Sequence, residues 1–489
     1  DGQAWETVSP DLTAFESDKQ VISGSPITRD ITGEEYYSTL YSIRESKLKE
    51  GLIWTGSNDG VISITQDGGK TWNNVTPKKL PKGGRVESVE PSQHDVGTAY
   101  IAVDRHLLGD EKPYLYKTND YGESWKLLSS EANGIPSDYI TRVLREDPVR
   151  QGLLYVGTEY GMFVSFDDGK TWTTFQQNLP VTPITDLKIF RGDLVISTMG
   201  RGFWILDNIT SLRDNSILDI KDTPHLFQPD KTIRYRYPMI RSNDAFPKFP
   251  RTSVYIDYFL PEVHKEGVKL EIISPNGESL VTILSDSTQL KSSVEEVEDM
   301  DLSETFRYVN EKLENKKGLN RFAWDLRQKG AWDKDVKKRY KNGPIVSPGN
   351  YTAKLSIGER TFEQPFEILI DPRVTKEGIS KVDIEKQLTM QLQVMDLLSK
   401  ARKLQSNLEE ESKSLKEKIS QEKRLELIRA VLKQLKNEEG AYPQQMLVSQ
   451  ISYLLYMISG ADQVLGQDAA ERFLELKSQF EKIKKETEA

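Results

Sequence analysis

Thr65-Gln-Asp67-Gly-Gly69-Lys-Thr71-Trp72 recurs as Thr118-Asn-Asp120-Tyr-Gly122-Glu-Ser124-Trp125 and again as Ser165-Phe-Asp167-Asp-Gly169-Lys-Thr171-Trp172. The shared pattern is Ser/Thr-x-Asp-x-Gly-x-Ser/Thr-Trp. Gly2-Gln3-Ala4-Trp5 fits its last four positions, with Ala for Ser/Thr, and the four tryptophans are spaced by 67, 53 and 47 residues. Self-similarity at that period is the mark of a repeat architecture whose unit is a four-stranded propeller blade. The motif has a physical logic: the Asp carboxylate accepts turn N–H groups, the Gly takes a backbone conformation with φ > 0, and the Trp packs between neighbouring blades. All three tryptophans are therefore expected to be largely buried.

Outward from each motif the pattern holds. Leu52-Ile-Trp-Thr-Gly56-Ser-Asn-Asp-Gly60-Val-Ile-Ser and Leu154-Tyr-Val-Gly157-Thr-Glu-Tyr-Gly161-Met-Phe-Val each read as strand, tight turn and strand ahead of the motif. Leu194-Val-Ile-Ser-Thr-Met-Gly200-Arg-Gly202-Phe-Trp-Ile-Leu206 is a last copy without the Asp. Residues 1–210 are thus predicted to be the C-terminal blades of a propeller. About four blades do not close a ring, so preceding sequence or another chain is expected to complete it.

The chain has 489 residues and a net charge of −9, with no cysteine and only 4 histidines. The acidic balance argues against nucleic-acid binding. Disulfides, thiol nucleophiles and cysteine metal sites are excluded, the scarcity of histidine argues against a multi-His metal cage, and no cofactor motif is present: there is no P-loop, no dinucleotide-binding glycine pattern and no Ser-His-Asp arrangement. No run reaches the ~18 apolar residues of a membrane span.

The repeat resembles the Asp-box, or BNR, repeat of sialidases, two-propeller xyloglucanases and sortilin-type receptors. Trp5-Glu-Thr-Val-Ser-Pro-Asp-Leu-Thr13, Gly97-Thr-Ala-Tyr-Ile-Ala-Val-Asp104-Arg-His106, Lys112-Pro-Tyr-Leu-Tyr-Lys117, Arg145-Glu-Asp-Pro148 and Gly200-Arg-Gly-Phe-Trp-Ile-Leu-Asp207 narrow it to exported bacterial sortilin-like proteins, often labelled glycosyl hydrolases. The resemblance implies more blades upstream. It also implies a location in the periplasm, on the outer membrane surface or outside the cell, and a structural role for Asp67, Asp120 and Asp167.

Beyond the propeller, residues 211–252 read as a connector broken by Pro229, Pro238, Pro247 and Pro250, with a basic-aromatic stretch from Arg234 to Arg251. That stretch is either an ordered linker or a strip for a polyanion. Residues 253–373 read as a β-sandwich, Ig-like by resemblance, with an Asn276-Gly277 hairpin and an acidic insert at 294–317. Residues 375–489 read as an antiparallel bundle of three or four helices. Its core face carries Leu388, Leu392, Met395 and Leu398, and Met446 to Ile458 is expected to be its buried member. The fold class is therefore mainly β with a C-terminal α part.

In an Asp-box blade the motif occupies the turn between the third and fourth strands, and the turn between the second and third opens on the opposite face. That places Asp59, Asp104, Arg105, His106, Asp110, Glu159, Tyr160 and Arg201 on one rim. Carboxylates beside Arg, His and Tyr suit sugar binding or acid/base hydrolysis, and the same residues also serve as ordinary turn residues. The first expectation is a non-catalytic binding protein of the bacterial envelope that takes a protein or glycan partner. The alternatives are a glycoside hydrolase completed by further blades and a sortilin-like peptide receptor.

Overall fold

The computed structural model describes residues 3–20, 37–220, 222–236, 252–285, 313–335, 338–415, 421–440 and 442–488. It forms two compact units, Asp1–Leu218 and Asp219–Ala489.

The first unit is a row of up-and-down antiparallel sheets in chain order. Strands β1 (Leu40–Glu45), β2 (Ile53–Ser57), β3 (Ile62–Thr65) and β4 (Asn73–Asn74) form the first sheet. The second holds β5 (Arg85–Pro91), β6 (Ala99–Asp104), β7 (Tyr114–Thr118) and β8 (Lys126–Leu127). The third holds β9 (Thr141–Glu146), β10 (Leu154–Thr158), β11 (Gly161–Ser165) and β12 (Thr173–Thr174), and the fourth β13 (Ile184–Phe190), β14 (Asp193–Thr198) and β15 (Phe203–Leu206). The first strand of each sheet packs on the first strand of the next. This is blade stacking, and the propeller reading holds.

Strand alternation builds the cores between blades. On β6, Ala99, Ile101 and Val103 face Trp54 and Ile64 of the first blade, while Tyr100 and Ala102 face Leu144 and Val156 of the third. Val143 and Tyr155 then meet Ile184 and Ile196 of the fourth.

The three motifs make the same hydrogen bonds. Thr65 Oγ1 donates to Asp67 Oδ1 (2.8 Å), Thr71 N–H to Asp67 Oδ1 (2.9 Å) and Thr71 Oγ1 to Asp67 Oδ2 (2.7 Å). The sets around Asp120 and Asp167 match. The residue after each Asp is left-handed in every copy: Gly68 (φ 73), Tyr121 (φ 58) and Asp168 (φ 63). Each Trp indole then donates to the carbonyl three residues past the preceding motif's Trp: Trp72 to Val8 (2.9 Å), Trp125 to Val75 (2.7 Å) and Trp172 to Leu128 (2.9 Å). Burial departs from expectation. Trp172 is 5% exposed, but Trp72 and Trp125 are only half-buried. Their indoles lie over the blade seam and are held by the N–H latch rather than enclosed.

In the second unit, β16 (His225–Leu226), β18 (Val254–Leu260) and β21 (Gly318–Trp324) form one sheet. The other is β17 (Thr232–Arg234), β23 (Arg360–Ile370), β22 (Gly349–Ile357), β19 (Lys269–Ile273) and β20 (Ser279–Leu284), in that order. Both contribute to one apolar core that includes Tyr258, Trp324, Tyr351 and Phe366. The connector is less irregular than the prolines suggested, because β16 and β17 carry it into both sheets. Arg234 and Arg236 both pair with Asp462 and so are not a free basic strip; Arg236 Nε is 2.7 Å from Asp462 Oδ1. Arg241, Phe246, Lys248, Phe249 and Arg251 lie outside the described residues, as does most of the acidic insert.

After the short helix α1 (Pro372–Lys376), capped by Asp371, come α2 (Lys381–Leu415), α3 (Glu422–Leu435), α4 (Leu447–Ser459) and α5 (Gln467–Glu488), which share one core. Two expectations shift. The buried stripe of α2 runs through Val394, Leu397, Leu398 and Ala401, with Leu388, Leu392 and Met395 on its flank. Helix α4 buries Leu447, Ile451, Leu454 and Ile458 but exposes Tyr453, Tyr456 and Met457. It is amphipathic with an aromatic outer face, because Tyr tolerates water at its hydroxyl end.

Candidate functional site

Each blade's innermost strand breaks register at the same place. Leu40 pairs with Ser57 and Ser42 with Gly56, so Tyr41 is extra. Glu87 is the extra residue of β5, Arg142 of β9 and Thr185 of β13. These are β-bulges, which re-aim a side chain and recur beside functional sites. Each lies at the end of the blade opposite the Asp-box turn, where the second strand turns into the third.

The bulge residues and their neighbours form a chain across blades. The Arg85 guanidinium lies over the Tyr41 ring at 4.8 Å, and its Nη1 is 3.4 Å from Glu87 Oε1. Arg142 Nη1 is 3.7 Å from the same Glu87 oxygen, while Arg142 Nε donates to Glu159 Oε2 at 2.8 Å. On the fourth blade, Thr185 and Ser197 hydroxyls are 2.8 Å apart. Burial pushes the Glu87 carboxyl above its usual range, against the opposing charges of Arg85 and Arg142, and the Asp104 charge pushes the same way. Burial works against the Arg142 cation, but its hydrogen bond to Glu159 and the charges of Glu159, Glu87 and Asp104 hold it above the ordinary arginine value.

One step further along the inner strands lies a second polar layer. Arg145 donates to Leu187 O (3.1 Å), Ser88 Oγ (2.5 Å) and Asp186 Oδ1 (2.8 Å), and lies 3.7 Å from Glu90. Glu90 is buried, and burial pushes its carboxyl up to about 7.

The rim residues expected from sequence divide into two groups. Asp104 and Glu159 converge on Arg142, one through its charge and the other by direct contact. His106 is anchored beside them: its N–H and Nδ1 both lie against Asp104 Oδ1, each at 2.8 Å. Tyr160 is exposed and its ring rests on Tyr139 at 4.8 Å. Asp59 is buried, accepting from Ser57 Oγ and from Ala14 N–H at 2.9 Å, which ties the N-terminal segment to the first blade. Arg105 is buried too, its Nη1 donating to the carbonyls of Pro81, Lys82 and Gly83 and its Nε to Asp110. Both have the hydrogen bonding of structural residues. Arg201 is exposed on the last turn, and no contact joins its side chain to the Arg142 cluster among the described residues. The described residues contain no group of three or more side chains placed to hold a metal ion.

Tyr41, Glu87, Arg142 and Thr185 are not among the rim residues expected from sequence, and only a comparison of the four blades with one another leaves a trace of them. Tyr41/Arg44, Glu87/Glu90, Arg142/Arg145 and Thr185/Lys188 are polar or aromatic pairs three apart, on strands that carry other polar residues such as Ser88, Glu146 and Asp186. Regular alternation puts residues three apart on opposite faces. The same spacing in four blades is the trace of an inserted residue.

No family model matches the chain, and no curated protein matches it. Among solved structures it is similar to a GH74 enzyme of Niastella koreensis, at 12% identity and TM-score 0.30, over 45% of this chain and 34% of that one. It is similar to a GH74 xyloglucanase of Xanthomonas campestris at 12% identity and TM-score 0.29, over 65% of this chain and 51% of that one. A third is YCF48 bound to D1 peptide, at 16% identity and TM-score 0.27, over 46% of this chain and 65% of that one. The chain thus spans about a third of the length of the first and under two thirds of the others. These neighbours are GH74 and YCF48 propeller proteins.

Proposed function

We propose that the chain is a non-catalytic binding protein of the bacterial envelope, and that it recognises a protein or glycan partner through the blade end that carries the bulges. The observation that carries this reading is the recurrence of one bulge per blade, which brings an aromatic, two charged groups and a hydroxyl to a common end. The charged members are already paired with one another, which suits a recognition surface presenting alternating charge and aromatic area. The exported location follows the family resemblance; no helix among the described residues is long and apolar enough to cross a membrane. Alanine at Arg142 or Glu159 is expected to weaken binding on a glycan or peptide array at least tenfold, while Arg201→Ala has little effect. Unchanged binding in both Arg142 and Glu159 variants would overturn the assignment.

A hydrolase reading has one observation in its favour. Glu87, pushed toward its protonated form by burial, and Glu159 flank the same guanidinium, and glycosidases divide acid and base roles between two carboxyl groups. It requires that Glu87→Gln abolish turnover of a polysaccharide while leaving binding intact. A sortilin-like receptor is the form the binding reading takes if the array selects a peptide.

We propose also that further Asp-box blades complete the propeller. Ile43 of β1 is exposed, as are Phe203 and Ile205 of β15. Trp5 is 92% exposed, whereas each of its three counterparts is latched to a neighbouring blade.

A further inference from the structure

Between β21 and β22 the chain makes a lobe that leans on the bundle. Arg327 forms an antiparallel bridge with Ile345, and Gln328 N–H donates to Pro344 O and Gly330 N–H to Tyr340 O, both at 2.9 Å. Gly330 and Gly343 permit this close approach: a Cβ on either would stand 2.1 Å or less from the opposing carbonyl. Trp332 N–H donates to Ser399 Oγ at 3.0 Å, and Arg402 pairs with Asp333 at 3.0 Å, so the lobe is pinned to α2. The space left between lobe, α2 and α4 is a cleft of about 400 Å³, within the size of small-molecule sites.

The cleft has two chemical halves. Its floor is Met395 and Leu398 of α2, Leu455 of α4 and Ile345 of the lobe. Its walls carry Arg236, Arg327, Lys338, Lys341 and Arg402 against one lining carboxylate, Asp333. Among the described residues, nearby carboxylates face four of these five cations and leave a net positive wall. Arg402 uses Asp333, Lys338 lies 3.5 Å from Asp335, and Arg327 lies 3.7 Å from Asp325. Asp462 is shared by Arg236 and the buried Arg234. Lys341 makes no ion pair among the described residues. Gln391 is 2% exposed, lines the cleft, and holds α4 through Ile458 O at 2.7 Å, so the floor is preformed. Tyr456, 72% exposed, stands at the mouth.

We propose that this cleft binds a small organic anion with an apolar body, a carboxylate or phosphate monoester whose head group meets Lys341 and Arg327 and whose tail lies on Met395, Leu398 and Leu455. Charge alone in a wet cleft is weakly attractive, and apolar area alone is unselective, so both halves are needed. The test is calorimetric titration of the full chain with octanoate, octyl phosphate, octanol and inorganic phosphate. Octanoate or octyl phosphate should bind saturably, and the stronger of the two identifies the head group. Octanol and inorganic phosphate should bind at least tenfold more weakly. Lys341→Glu, at a half-buried lining position, should weaken the anion tenfold or more without moving the melting temperature. Met395→Trp should fill the floor and abolish binding. No saturable binding of either amphiphile overturns the proposal, as does binding that survives Lys341→Glu in a protein of unchanged melting temperature.

Discussion

Glu90 illustrates how a single buried carboxyl couples the blades to pH. Its pKa stands at about 7 because burial penalises the charged form more than Arg145 compensates. A folded pKa raised from 4.5 means that this group favours folding most below about pH 4.5, and that the contribution is lost as pH rises through 7. A shift of that size corresponds to about 3 kcal/mol. Glu90→Gln is therefore expected to melt higher than the parent at pH 8 and to lose that advantage at pH 5; an equal difference at the two values would contradict the burial argument. Trp172 is the other residue whose truncation is expected to be expensive. It sits in the core between the second and third blades, so Trp172→Ala should cost about 3–5 kcal/mol. Trp72→Ala should cost clearly less, because half of its ring already faces water. Denaturant melts of the two variants check the order.

At the scale of the element, the Asp box is a turn whose parts support one another. The hydrogen bonds from Thr71 and Thr65 hold the Asp67 carboxyl down to about 2, so the turn's contribution is complete above pH 3.8 and fades as pH falls toward 2. Asp120→Ala removes the acceptor for Thr118 and Ser124 together, with an expected cost of about 1–2 kcal/mol. Gly122→Ala is expected to cost more, since a Cβ there would lie 2.6 Å from Val75 Cβ at φ 90. Chemical denaturation of both variants decides the ranking. These turns were legible in the sequence because their chemistry is local: a fixed spacing of hydroxyl, carboxylate, glycine and indole specifies the loop by itself. The bulges were not read, because a bulge is defined by its partner strand, and Glu87 is only one residue among alternating polar and apolar neighbours until β6 fixes its register. For the same reason Asp59 and Arg105 looked like rim residues from their turn positions. Their partners, Ala14 N–H and the carbonyls of Pro81, Lys82 and Gly83, are remote in sequence.

For the whole first unit, the decisive feature is that its interior blades are covered on both sides and its outer ones are not. Strand β6 is buried throughout, whereas β15 alternates exposed and half-buried residues, with Phe203 82% and Ile205 59% exposed, and β1 exposes Ile43, the counterpart of the buried Val89. In a propeller those positions face the next blade, and exposed apolar strand faces of this kind promote association. Phe203 and Ile205 hold the positions that, one blade earlier, are filled by Met162 and Val164, which pack into the core shared with the following blade. This chain on its own is therefore expected to self-associate with increasing concentration in sedimentation velocity runs. Phe203→Lys combined with Ile205→Lys should reduce that association without lowering the melting temperature, because neither side chain contributes to a core here. A chain extended with further Asp-box blades should instead remain monomeric, and there the same double substitution should destabilise the fold, since both side chains would lie inside an interblade core. If the short chain stays monomeric at high concentration and the extended chain tolerates both lysines, then the β15 face is ordinary surface and the propeller is not completed across it.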